Sequence, residues 1–232
     1  MKPDFKSKLP VAHYTKALAA ISVIAIAACS SQPPAPDWAL VAESATQKAT
    51  AAYLQGQQRV EALQWQKARD AVASTGQPAL AAKVELMRCA AQVASLEWND
   101  CPAYEALAQD AAQEEQAYAR YLQGRSQPAD IELLPEAQRA AARQLGNVAG
   151  VAPVEIKDPL SSLVAAGVQL RSGRASPALL QQAVDTASAQ GWRRPLMAWL
   201  LMQLKSEQQA GNSDKAAQLE RRLKLLQAPV RN

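Results

Sequence analysis

The chain has 232 residues with 25 Lys and Arg against 21 Asp and Glu, a formal charge of +4. Four of the lysines (Lys2, Lys6, Lys8, Lys16) and one acid, Asp4, lie in the first sixteen residues, so residues 29–232 carry 21 basic and 20 acidic groups and give no electrostatic case for nucleic-acid binding. The only histidine, His13, is in that leading segment too, so residues 29–232 cannot build Ser-His-Asp or Cys-His catalysis or a histidine-ligated zinc site.

In chain order, the lysine-rich start is followed by an apolar run over residues 17–28. A helix of that length rises about 18 Å, well short of the roughly 30 Å hydrocarbon core of a bilayer. The charge-then-apolar order predicts an export signal and not a membrane span. The run ends Ile26-Ala27-Ala28-Cys29, which resembles the lipobox of bacterial lipoproteins. The resemblance covers about the first thirty residues. It implies that residues 1–28 are removed and that Cys29 carries a covalent lipid, the only cofactor-like group expected. Ser30 stands where lipoproteins retained in the inner membrane have an aspartate, which implies the periplasmic face of the outer membrane. Residues 29–36 hold the acylated cysteine and a tether, of which residues 31–36, with Pro33, Pro34 and Pro36, read as a short stiff stretch of roughly 20 Å.

Residues 29–232 contain forty-three alanines among many Gln, Leu, Glu and Arg, all good helix formers, and no stretch alternates with a period of two. The chain therefore reads as all-α, with about nine helices after the signal. The first is expected over 37–55, capped by Asp37, closed by Gly56, and facing inward through Ala42, Ala45, Ala49, Ala52 and Tyr53. The second is expected over 59–74. The third covers 79–95, with Leu80, Val84, Met87, Ala91 and Ala94 as its stripe. Pro102 opens a fourth, expected to run unbroken to Gly124, and Pro135 a short fifth to Leu145. A linker over 146–157 divides an N-terminal helical half (37–146) from a C-terminal one (158–232). Asp158-Pro159 and Ser176-Pro177 are two further cap-and-proline starts. The helix over 195–210, with Leu196, Trp199, Leu200 and Leu204, is the most apolar and is expected at the centre of the second core. A last helix shows Ala216, Leu219, Leu223 and Leu226 on one side.

Helices of this length joined by Gly/Pro turns are similar to stacked tetratricopeptide-type hairpins, residues 199–223 most of all; a solenoid and a bundle both fit. With Cys29 acylated, Cys89 and Cys101 are the remaining cysteines, and the oxidising periplasm predicts a disulfide between them. Residues 192–232 hold eight basic and three acidic groups. Trp192, Arg193, Arg194, Arg221 and Arg222 are therefore candidates for contact with an acidic partner or anionic headgroups. Tyr53, Trp65, Tyr118, Tyr121 and Trp192 are candidate lining residues of a peptide groove, and Glu97, Asp100, Glu105, Asp110, Glu114 and Glu115 form an acidic run that reads as a solvated face.

No metal-ligand spacing, phosphate loop or nucleophile motif is present, so no metal and no catalytic residue is assigned. Two functions fit. One is a non-catalytic adaptor, bound to the membrane through the lipid and to a protein partner in the envelope. The other is a cell-wall enzyme using a single glutamate, as lytic transglycosylases do.

Overall fold

A computed structural model describes residues 34–145 and 154–227. The segment expected to be an export signal, Cys29, most of the expected tether and the first part of the 146–157 linker lie outside them. The described residues are all-helical: α1 (Asp37–Gln55), α2 (Gln58–Ala73), α3 (Pro78–Ala94), α4 (Pro102–Glu105), α5 (Gln113–Leu122), α6 (Glu136–Leu145), α7 (Pro159–Arg171), α8 (Pro177–Ala189), α9 (Arg193–Gln209) and α10 (Ser213–Gln227). Short 3₁₀ turns occupy Ala108–Asp110 and Pro128–Leu133.

Termini fall where proline, glycine and small polar residues dictate. Ser161 N donates to the Asp158 carboxylate at 2.7 Å and Leu179 N to Ser176 Oγ at 3.1 Å, each cap preceding a first-turn proline. Gly56 closes α1 at φ 78°, a left-handed value that costs a glycine nothing. Asp37 differs from expectation. It is the first helical residue, after Pro36, whose carbonyl accepts from Ala39 N and Leu40 N, and its acid acts on the helix dipole.

Three expectations need correction. The stretch from Pro102 to Gly124 is not one helix but α4, a 3₁₀ turn and α5, because the chain straightens at Ala111 and Ala112 (ψ 143° and 165°). Ala111 is buried there and its carbonyl accepts from Gln116 Nε2. Met87 is exposed, since α3 is buried on other faces through Leu86, Cys89, Ala90 and Val93. The central helix of the C-terminal half is α7, buried at every position from Ser162 to Leu170, whereas α9 leaves Leu201 half exposed. The apolar count of α9 misled because its leucines encircle the helix.

α1 and α2 form an antiparallel hairpin joined through Ala45, Ala49 and Ala68, small enough for close approach, with Trp65 filling the space beside them. α7, α8, α9 and α10 each pack on the next. The link between these groups is α3, which skips three helices to lie against α7. A Cβ on Gly167 would stand 2.4 Å from the Val93 carbonyl oxygen, so this crossing is one that only glycine permits. At the same end of α3, Trp199 Nε1 donates to the Ala94 carbonyl at 2.9 Å, satisfying a helix-terminal acceptor across 105 residues of sequence.

One hydrophobic core consequently runs from Ala82 in α3 to Leu223 in α10, with side chains from both sides of the 146–157 linker. α1 also meets α9. In a solenoid each hairpin touches only its neighbours; these closing contacts make the arrangement a helical bundle.

Candidate ligand cleft

Where α2, α3, the end of α1 and the start of α9 converge, a cleft of about 520 Å³ opens, lined by Tyr53, Glu61, Trp65, Arg69, Arg88 and Arg194 among others. Arg194 is its most heavily bonded member. The guanidinium lies over the Tyr53 ring, 4.1 Å from the centroid, donates through Nε to the Tyr53 carbonyl at 2.9 Å, and reaches Glu97 at 3.2 Å and Glu61 at 3.5 Å. It ties the start of α9 to α1, α2 and the loop after α3. On the opposite side, Arg69 of α2 donates from two nitrogens to the two oxygens of Glu85 on α3, a fork that holds the helices in register. Glu85 is buried.

Arg88 is placed differently. It stands one turn beyond Glu85 on α3 and lines both this cleft and a smaller neighbouring one of about 170 Å³ floored by Cys89, Cys101 and Tyr104. Its Nε is enclosed by protein and meets no acceptor, and Arg88 has no ion-pair or hydrogen-bond partner among the described residues. The terminal nitrogens are left facing the solvent of the two clefts. One aromatic donor in the same wall is also unsatisfied, the buried indole N–H of Trp65, while the Tyr53 hydroxyl sits beside Ser95 and Glu97. Burial pushes the Tyr53 phenol well above its ordinary pKa, with the nearby Glu97 charge adding to the effect, so it stays a neutral donor.

No protein-family model, curated protein or solved structure matches the chain. The cleft is thus read from its own chemistry.

The residues singled out in the sequence are dispersed. Trp192 packs against the cluster of Tyr53, Leu54 and Ala91, and Arg193 donates to the Leu226 carbonyl at the end of α10. Those two residues and Arg194 are half-buried and make intramolecular contacts. Arg221 is exposed and Arg222 half-buried, on α10. Tyr53 and Trp65 do line the cleft, whereas Tyr118 and Tyr121 pack against each other with centroids 6.3 Å apart, and the Tyr121 hydroxyl donates to the buried Gln138 at 2.8 Å. The acidic run is divided among separate partners. Glu97 meets Arg194, Asp100 meets Arg171 and Arg125, and Glu105 accepts from Gln123.

Cys89 and Cys101 form a disulfide with Cα atoms 5.6 Å apart. It fastens the loop after α3, in which Leu96, Asp100 and Cys101 all take positive φ. Arg69, Glu85 and Arg88 escaped notice in the sequence. The available signal was an arginine set within the apolar middle of α3, between Leu86 and Cys89.

Among the described residues no helix is long and apolar enough to cross a membrane.

Proposed function

We propose that the protein is a lipid-anchored adaptor, held by Cys29 at the periplasmic face of the outer membrane, which binds an envelope protein through the cleft between α2, α3 and α9. The observation that carries this reading is the pairing pattern inside the cleft. A glutamate serving as general acid must present its oxygen to the substrate with no cation competing for it. Here Glu61 and Glu97 both face Arg194, and Glu85 is forked by Arg69. The group left open is a donor, Arg88, set among aromatic and glutamine side chains suited to recognition. The bundle built around α3 and α7 supports the same reading, because it holds those donors on rigid helices.

The test is crosslinking in the intact envelope followed by pulldown, beside an assay of the purified protein on peptidoglycan. The adaptor reading expects a specific protein partner and no turnover. Release of glycan fragments by the wild type, abolished by one Glu→Gln change that leaves folding intact, overturns it. The anchor has its own test: Cys29→Ser should abolish labelling by a fatty-acid analogue and release the protein from membranes, and retained labelling would remove the lipid assignment.

A further inference from the structure

We infer that Arg88 is the anchor of a carboxylate-binding subsite, and that the two clefts on either side of it take a protein segment presenting a carboxylate. The inference rests on the adaptor reading and names the chemistry its site selects.

Charge placement is the first ground. Three arginines and two glutamates line the larger cleft, and Glu85, which belongs to the smaller one, brings the acids to three. The sums balance but the pairing does not. Arg194 serves two carboxylates and Arg69 serves the third, so the positive charge on Arg88 stands alone. A planar guanidinium with its terminal nitrogens open and its stem held by burial is matched by a carboxylate, which can receive two parallel N–H bonds.

Unsatisfied donors are the second ground. Trp65 is 2% exposed, yet its indole N–H lacks an acceptor, whereas the neighbouring Tyr53 hydroxyl has Ser95 and Glu97 beside it. Buried donors in native proteins normally find partners, and an orphaned indole N–H in the cleft that also holds the unpartnered Arg88 Nε marks a place where an acceptor belongs.

The third ground is position. Arg88 and Gln92 lie one turn apart on α3 and line both clefts, so a chain crossing this ridge meets the guanidinium midway. The Gln58 amide, the Gln66 oxygen and the Gln92 amide nitrogen, left over after Gln66 donates to Asp70 and Gln92 accepts from Asn99, supply both acceptors and donors for the N–H and C=O groups of a peptide backbone.

The test titrates detergent-solubilised, ¹⁵N-labelled full-length protein with four probes. N-acetyl-glutamate α-amide carries a side-chain carboxylate, N-acetyl-alanine a chain-terminal one, N-acetyl-glutaminamide none, and inorganic phosphate is the competing anion. The expected result is a saturable shift of the Arg88 Nε–H and Trp65 indole signals with one of the two carboxylate probes, at about millimolar strength for so small a fragment. Whichever carboxylate probe binds identifies the source of the group. Arg88→Gln should weaken binding at least about tenfold, and Arg88→Lys should restore part of it, since the charge returns without the fork. Among the described residues Arg88 has no hydrogen-bond or ion-pair partner, so in either variant the melting temperature should move only by the small loss of stem packing.

Equal binding to Arg88→Gln, or saturation by phosphate as tight as by the carboxylate probes, overturns the inference, as does the absence of a saturable shift with either carboxylate. Failure here is separable from failure of the adaptor reading. An Arg88→Gln protein that still crosslinks to the wild-type partner removes this subsite and leaves the adaptor standing, whereas carboxylate binding without any envelope partner does the reverse.

Discussion

Asp130 is 3% exposed and accepts from two nitrogens of Arg120 and from Gln127 N at 2.9 Å. The Arg120 hydrogen bonds hold its carboxyl below the usual carboxylate range, with the Gln127 bond and the guanidinium charge acting in the same direction against burial. A depressed folded pKa contributes stability that is present above the unfolded value of about 3.9 and lost as pH falls through the folded one. Asp130→Asn should therefore flatten the acid limb of a stability profile measured between about pH 5 and pH 2. It should also cost about 2 kcal/mol at neutral pH, the usual penalty for stripping a charged hydrogen-bond partner when the remaining guanidinium is partly solvated. Urea unfolding at each pH measures both effects, and an unchanged acid limb would show that the pair is not what acid breaks.

Gly167 sets the closest approach between α3 and α7. Gly167→Ala gains about 1 kcal/mol of intrinsic helix preference and drives a methyl group into a backbone carbonyl; overpacking costs about 1–3 kcal/mol and neither helix can yield easily. The net expectation is a loss of up to about 2 kcal/mol in chemical denaturation, and a stabilised variant would mean that the two helices can part freely. The disulfide acts on the neighbouring loop. Cys89 and Cys101 close twelve residues of chain, so replacing both by alanine should cost about 3 kcal/mol, read as a lower urea midpoint that reducing agent no longer shifts. Helix ends were legible in the sequence because Pro, Gly, Asp and Ser act through their own backbone geometry, as at Asp158-Pro159 and Ser176-Pro177. The break at Ala111 and Ala112 was not, since neither alanine carries a local signal and the bend exists to bury Ala111 against other helices.

The core joins helices from both sides of the 146–157 linker, so the molecule should unfold as one unit. Circular dichroism and tryptophan fluorescence, which includes Trp65 on the α1–α2 side and Trp199 on the α9 side, should give superimposable urea curves, and two resolved transitions would mean independent halves. The all-helical class followed from composition and periodicity. The cleft did not, because its pairs are long-range: Arg194 is 133 residues from Glu61 and 97 from Glu97, and no local pattern announces such partners. Tyr53 and Trp65 could be picked out as groove candidates, but which aromatics lined a cleft and which filled the core depended on packing that only the assembled bundle decides.

The bond from Trp199 to the Ala94 carbonyl and the contact of α1 with α9 have a bearing on when the molecule takes shape during its synthesis. A chain emerging from the ribosome carries α1 to α3 long before α9 exists, and until then the end of α3 lacks its acceptor's partner and α1 lacks part of its cover. Loop-closure entropy over such distances must be met before these contacts give anything back. A chain stopped short of Trp199 should therefore be cut faster by a protease than the full one, and equal resistance would show that the early helices close without α9.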